Sequence, residues 1–527
     1  MRAAIEMTGN TLTDRSRESA HTTTSPAHRV ASVAAIAALL VVAFRLLIPE
    51  QFADPFVRHD DYLALRPEPD LYYWKTLAKG RWVTWLWTLR EWPSDPILLW
   101  WIAIAVWCLG AAAVGVGMFR SDRLPVRAAL AAVAVALMPQ AADISTWYAA
   151  TLPAALTVTT MALVACLAGP RIIYGAMLAL VPVAVMAHSS YPLLVLLVAA
   201  LAGDWRTRPR AWVELPLVFC ASLALGILLM LVLNGAAHGH FGIKAASWIE
   251  ESTTSPSAGI AERLSFTAIW LVRSLALMAN GQPALGLLLS ALALLGLALA
   301  LWRAPRRALP VMSAAIVAFG IGAAPALLEG ISTPSRATGY LWLIIVGSFA
   351  LALAVLEARA RQAIFVAGLI ITALGAGTFW HSLYGQFLPP YQEMSRNLAA
   401  RLTEASAGRP ETIVIAGQIH GLPETEPLQF SIGLSFRLQR LTGAEPVLCT
   451  QQTTDELRYL NTGVEVATAE EYAGWARSRD LRQTLCETWG AAVDAMPPYP
   501  ASGSARQLAP GVLGLRLPDT ARSDAPP

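Results

Sequence analysis

The chain has 527 residues, 55% of them hydrophobic and only 14% charged, and its mean hydropathy is +0.50. Soluble chains carry about 25% charged residues, so the deficit excludes an ordinary cytosolic enzyme and a disordered protein. A net charge of +3 is too small to point to a nucleic-acid partner.

Residues 1–29 read as a cytoplasmic tail carrying Arg2, Arg15, Arg17 and Arg29. No cleavage-site pattern precedes the first apolar run, so that run is expected to stay as an anchor. Apolar runs fall at 30–48, 97–119, 125–141, 152–168, 172–187, 191–203, 212–234, 284–302, 309–327, 339–356 and 363–381. At about 20 apolar residues per crossing, they predict about eleven transmembrane helices. The stretch 264–280 is a further candidate, with Arg273 in its middle. The expected fold is a polytopic α-helical membrane protein over 30–385. A small extracytoplasmic α/β domain over 386–517 follows, then a disordered tail at 518–527.

Arginine placement predicts the orientation. With the N-terminus inside, inner loops carry Arg120, Arg123 and Arg127, then Arg171, then Arg206, Arg208 and Arg210, then Arg303, Arg306 and Arg307, then Arg359 and Arg361. The short outer loops near 142–151 and 188–191 carry none, and the one near 328–338 carries only Arg336. The long segments 49–96, 235–283 and 382–527 then all face outward, which places the protein's work on the far side of the membrane.

Within the first outer loop, 49–96, residues 70–92 lack proline and are rich in Trp. Leu71, Trp74, Ala78, Trp82, Trp85 and Leu89 recur at helical spacing, which predicts one amphipathic helix lying in the interface. In the tail, 391–406 reads as a helix. Thr412–Ala416 and Val512–Leu517 read as buried strands, with helices near 428–441 and 469–490 between them. Cys449 and Cys486 are the only cysteines in this part. Outside the cytoplasm they can form a disulfide worth roughly 3–4 kcal/mol by the chain-entropy model, two separate buried thiols being the alternative.

Chemistry-bearing residues gather in the outer loops. Arg58, His59, Asp60, Asp61 and Tyr62 follow the first span, and Lys75, Lys79 and Arg81 come soon after. Together they offer a base, counter-charges and hydrogen-bond donors. Ordinary solvation of an acidic loop is the plainer reading. Asp143, Trp147 and Tyr148 share one outer turn, His188, Ser189 and Tyr191 the next, and Glu329 and Arg336 a third. The two aromatics also fit an interfacial belt, and His188 also fits a simple satisfied interfacial histidine. Arg336 runs against the positive-inside trend, and a phosphate ligand explains the exception because guanidinium forks bind phosphate oxygens. Arg273 fits the same role or snorkelling.

The chain has no Walker A loop, no GxGxxG after a strand, no HExxH and no zinc-site spacing. Inner loops of a few residues cannot fold around a nucleotide sugar. An activated substrate must then come from the membrane or the outer space, and a polyprenyl phosphate sugar meets that demand.

The run of first span, acidic pair, amphipathic helix and alternating outer loops resembles the GT-C class of integral-membrane glycosyltransferases. More narrowly, His59-Asp60-Asp61-Tyr62 followed by Gly80-Arg81-Trp82 is similar to the O-antigen glucosyltransferases of serotype-converting phages and their chromosomal relatives. The resemblance covers roughly residues 30–380, and its motifs are short; the tail 386–527 lies outside it. It implies Asp60, with Asp61 as close competitor, as general base or metal ligand. It also implies a polyprenyl phosphate sugar donor, a glucose-like hexose favoured, and an outer-face glycan or lipid-linked acceptor in the cell envelope.

The full expectation is a hexosyltransferase of the bacterial inner membrane among membrane lipids. Asp60 or Asp61 is the base, and Arg336, Arg58, Arg81 and Arg273 hold the donor phosphate. His59, Tyr62, Lys75, Asp143, Trp147, Tyr148, His188 and Tyr191 line the substrate. No cofactor is assigned, and whether a divalent metal is needed, held by Asp60 and Asp61 with His59, is left open. Two other classes compete. A flippase of lipid-linked glycans is expected to carry ionisable residues deep in its spans or two matching halves, whereas mid-span charges here are few and no halves match. A non-catalytic scaffold leaves the outer clusters idle.

Overall fold

The computed structural model describes residues 25–58, 61–65, 69–90, 95–120, 125–243, 259–331, 333–356, 359–428, 432–449 and 483–519. It is a polytopic helical protein. Eight helical stretches among the described residues are long and apolar enough to cross a membrane: Pro26–Leu47, Pro96–Met118, Pro139–Leu167, Pro170–Ala187, Ala211–His238, Pro283–Arg303, Pro305–Glu329 and Arg361–Ala405. Val126–Ala136, Tyr191–Ala202 and Gly339–Val355 are shorter apolar helices. Many helices open on proline, which has no N–H to leave unpaired in the first turn and whose φ already suits a helix. Ser25 and Asp95 add side-chain caps, accepting from His28 N at 3.2 Å and Leu98 N at 2.8 Å.

The Pro96–Met118 helix runs through the middle because its second half is small. A Cβ on Gly110 would meet Thr159 Oγ1 at 2.7 Å, one on Gly115 the Ala128 carbonyl at 2.3 Å, and one on Gly117 the Ala202 Cβ at 2.7 Å. Three neighbouring helices therefore approach one backbone closely, as small-residue interfaces between apolar helices permit. The Tyr191–Ala202 helix is buried on every side, which matches its lack of any polar face. Outer helices keep bare apolar faces, including Leu217, Leu228, Leu294 and Leu374. Contiguous exposed leucine on this scale fits contact with lipid.

The predicted single helix over 70–92 is two helices, Pro69–Lys79 and Trp82–Thr88. Gly80 breaks them with φ +66°, and a Cβ there would lie 2.1 Å from Met230 Sδ. The pair also packs inward: Tyr72, Lys75, Leu77, Ala78, Trp82, Thr84 and Thr88 are buried. Trp82 Nε1 donates to Asn234 Oδ1 at 2.7 Å, and Thr76 Oγ1 lies 2.7 Å from His238 Nε2. The pair also packs on the Tyr148–Leu167 and Pro170–Ala187 helices, where Trp87 Nε1 donates to the Ala149 carbonyl and Thr84 Oγ1 to the Ala187 carbonyl, each at 2.8 Å, while Leu86 and Leu89 are left exposed.

Beyond the helices lies a four-stranded sheet in the order β2-β1-β4-β3. Strand β1 (Thr412–Ala416) pairs in parallel with β2 (Glu445–Leu448) and β4 (Val512–Arg516), and β3 (Ala505–Ala509) runs antiparallel to β4. Helices Pro389–Ala405, Ile432–Thr442 and 483–494 accompany it. Cys449 and Cys486 are joined by a disulfide. Residues 1–24 of the expected N-terminal tail, residues 451–482 with most of the helix expected at 469–490, and residues 520–527 lie outside the described residues, and the end of that tail from Pro26 already belongs to the first helix.

Candidate functional site

The first loop is stitched onto the turn ahead of the Tyr148–Leu167 helix. Arg58 N donates to the Thr146 carbonyl at 3.1 Å. Asp61 is fully buried and accepts from two backbone donors, Ala149 N at 3.0 Å and Ala150 N at 2.6 Å. The first N–H groups of a helix have no partner within it, and a carboxylate placed there also meets the positive end of the helix dipole. Arg90 reaches the Ala64 carbonyl at 3.1 Å and lies over the Trp87 ring at 3.8 Å. Burial lowers its guanidinium to about 10, and the Asp61 charge works against that fall. Asp61 therefore anchors the loop and caps a helix. His59 and Asp60 lie outside the described residues.

Residues from three separate loops meet over one indole. The guanidinium carbon of Arg58 lies 4.3 Å and that of Arg336 4.8 Å from the Trp147 ring centre. Arg58 Nη1 is 3.6 Å from Asp143 Oδ1. Two guanidinium groups on one aromatic ring gain cation–π attraction, and a guanidinium edge can also pair with an anion, as that of Arg58 does with Asp143. The Arg336 loop is pinned from several sides. A five-residue π turn, Pro325–Glu329, ends at Gly330 with φ +68°. Trp270 Nε1 donates to the Thr333 carbonyl at 2.9 Å, Arg263 donates to the Leu328 carbonyl, and Gln140 Nε2 donates to Thr338 Oγ1 at 3.3 Å. The Asp143 turn is held by Tyr384, whose hydroxyl donates to the Ala142 carbonyl at 2.9 Å.

Arg336 stands at an apolar crevice between the helices. Ile104, Trp107, Leu152, Leu194 and Trp380 form much of its wall, and Gln140, Tyr148, Ser190 and Tyr191 supply polar atoms. The Tyr148 hydroxyl and Gln140 Oε1 are buried with no hydrogen-bond partner among the described residues. A buried polar atom left unpaired costs about 1–3 kcal/mol, so a polar group of a ligand is the natural complement. His188 sits behind this wall, its Nδ1 2.9 Å from Ser190 Oγ and its ring edge-on to Tyr191 at 5.4 Å. Arg81 is close enough to Tyr191 for its charge to act on that residue.

Of the residues singled out in the sequence, Arg58 meets Asp143 and Trp147, Arg336 meets Trp147, and Tyr148, Tyr191 and Arg336 line the crevice. Tyr62 is buried against Phe436, with ring centres 5.4 Å apart. Burial raises its phenol, which Arg437 and Arg440 partly offset. Lys75 is buried over the Tyr72 ring at 4.4 Å, away from the crevice wall. Arg273 is exposed on the Ile260–Met278 helix and is not part of that wall. Among the described residues, no three His, Cys, Asp or Glu side chains gather to hold a metal.

Sequence reading missed a second cluster. Asp54 takes Arg437 at 2.9 Å and 2.5 Å, Arg440 at 2.6 Å and Arg396 at 2.8 Å. Burial alone would raise the Asp54 carboxyl, but the Arg437 hydrogen bond and the charges of Arg437, Arg440 and Arg396 hold it below its ordinary value. Gln51 Nε2 adds a bond to Gln392 Oε1 at 3.0 Å. The first loop is thereby clasped to the Pro389–Ala405 and Ile432–Thr442 helices. The only sequence signal was the i, i+3 spacing of Arg437 and Arg440, which puts both on one helix face. Comparison of the chain with family models, curated proteins and solved structures finds no match.

Proposed function

We propose that the protein is a GT-C-like membrane glycosyltransferase that moves a hexose from a polyprenyl phosphate to an outer-face glycan or lipid-linked acceptor. The observation that carries this reading is the meeting of Arg58 and Arg336 over Trp147 at the mouth of an apolar crevice. An isoprenoid chain suits the apolar wall, and its phosphate suits two guanidinium forks. Tyr148 and Gln140, unpartnered in the crevice, suit sugar hydroxyls.

In this mechanism Asp60 takes the proton of the acceptor hydroxyl as its oxygen bonds to the anomeric carbon. The bond from that carbon to the phosphate oxygen breaks, and its electrons leave on the phosphate. Phosphate is already a good leaving anion, so it needs fixed positive charge rather than a general acid. Asp61, the next residue in the chain, has both oxygens on backbone N–H groups and holds the first loop in place.

The reading includes a bacterial inner-membrane location, about eleven spans with the three shorter apolar helices counted as crossings, and an extracytoplasmic C-terminal unit. The disulfide supports the last point, since such bonds persist in oxidising compartments. Purified protein in lipid, given polyprenyl phosphate sugars with and without chelator, should release polyprenyl phosphate. Arg336→Ala should weaken donor use. No release with any hexose donor, in the presence of envelope glycans, would remove the proposal.

A further inference from the structure

The clasp on Asp54 holds more positive charge than one carboxylate can neutralise. Asp54 is the only acidic side chain, among the described residues, within ion-pair distance of Arg396, Arg437 and Arg440. Arg437 is 1% exposed and closed off: two nitrogens bind the two Asp54 oxygens, and Nε donates to Ser395 Oγ at 2.6 Å. That bidentate pair is neutral by itself. Arg396 and Arg440 remain as two surplus cations. Arg440 Nη1 is buried and donates to nothing among the described residues. The Arg396 side chain is 48% exposed and that of Arg440 24%, so the cluster opens to solvent on their side.

We propose that Arg396 and Arg440 form an anion site for a phosphate monoester, with Arg440 Nη1 as its inner donor. A dianion balances the two surplus charges, and its terminal oxygens match guanidinium edges. Inorganic phosphate and the head group of a phosphomonoester lipid share this chemistry. None of these arginines lines the crevice, and the site stands whether or not the protein transfers sugar.

The test is thermal unfolding of the full chain in phosphatidylcholine nanodiscs near pH 7.5, with inorganic phosphate or chloride at equal ionic strength. Phosphate should raise the unfolding midpoint. Arg440→Gln and Arg396→Gln should each need about tenfold more phosphate for the same rise, as expected for loss of one charge-assisted contact. Arg409→Gln, at an exposed position of the C-terminal unit, should respond as the parent does. Arg396 is half exposed, so its variant keeps the test alive if Arg440→Gln unfolds. Adding phosphatidic acid to the discs separates the sources: loss of the response to free phosphate assigns the site to a lipid head group, and an unchanged response assigns it to soluble phosphate. No midpoint rise in the parent, or a rise that both arginine variants keep, overturns the proposal. A rise removed by Arg409→Gln alone does so as well.

Discussion

Both oxygens of Asp61 are committed to backbone N–H groups, and the side chain has no exposure. A carboxylate so placed is poorly suited to collecting a proton from a large, incoming acceptor. The neighbouring Asp60 is therefore the better base within the proposed mechanism, and the two residues separate experimentally. Asp60→Asn should cost at least about 10²-fold in transfer rate with little change in thermal midpoint. Asp61→Asn keeps one acceptor for two donors, so it should lower the midpoint as well, by about 1–2 kcal/mol of stability. An Asp60→Asn variant with near-normal sugar transfer would end the assignment. Asp54 makes a different prediction. Its carboxyl is depressed in the folded protein below its ordinary 3.8. Its stabilisation is then complete above that value and is lost as pH falls through the lower folded value. Asp54→Asn leaves Arg437 buried without its counter-charge and should cost about 3–5 kcal/mol at neutral pH. The parent's stability should fall on acidification below pH about 4, and the variant should lack that component of the fall. Parallel midpoint-against-pH curves would contradict the clasp.

Between the Pro69–Lys79 and Trp82–Thr88 helices, Gly80 does two jobs. Its φ of +66° is one that L side chains rarely adopt, and its missing Cβ leaves room for Met230. Gly80→Ala should destabilise the protein by about 1–3 kcal/mol, combining backbone strain with overpacking. Gly80→Ala with Met230→Ala should recover the packing part and leave the strain, which denaturation midpoints of the three variants resolve. This break also shows where the sequence was legible. Apolar periodicity over 70–92 located a helical stretch, but a lone glycine inside it does not announce whether it bends or merely weakens a helix. Long apolar runs such as 97–119 were plain because about 20 apolar residues admit few other structures. Strands β1 and β4 were plain because TIVIA and VLGLR are largely apolar and each has a glycine at one end, Gly417 after β1 and Gly511 before β4. Strand β2 is four residues containing Pro446, and β3 reads ARQLA; both take their shape from pairing with neighbours rather than from local preference. The Arg58–Trp147–Arg336 meeting joins residues far apart in the chain, so their types were visible but their convergence was not.

At the scale of the whole molecule, the two ends of the helical bundle differ in chemistry. At one end, arginines bind the last carbonyls of helices. Arg29 donates to Cys166 O at 2.6 Å, Arg120 to Ala165 O and to Ala202 O at 2.5 Å, Arg307 to Met118 O, and Arg127 to Leu353 O at 3.3 Å. These bonds satisfy orphan carbonyls and meet the negative ends of the helix dipoles. At the other end lie the Asp61 cap, the crevice mouth and the Asp54 clasp. The 20-residue Tyr148–Leu167 helix links the two ends. At 1.5 Å per residue it spans about 30 Å, the thickness of a bilayer's hydrocarbon core. Within the proposed reading, the positive-inside rule puts the arginine end in the cytoplasm and the clasped C-terminal unit outside. The cysteines make this testable without new labels. Cys108 and Cys166 are buried in helices, and Cys220 is exposed within an apolar one, whereas Cys449 and Cys486 are half-buried in the C-terminal unit. In intact spheroplasts, a membrane-impermeant maleimide should label the protein only after mild reduction. That labelling should vanish in the Cys449→Ser, Cys486→Ser double variant. Labelling that needs permeabilised cells would put the C-terminal unit in the cytoplasm, and with it the crevice mouth and Asp60. A donor presented at the outer face would then never reach the proposed base.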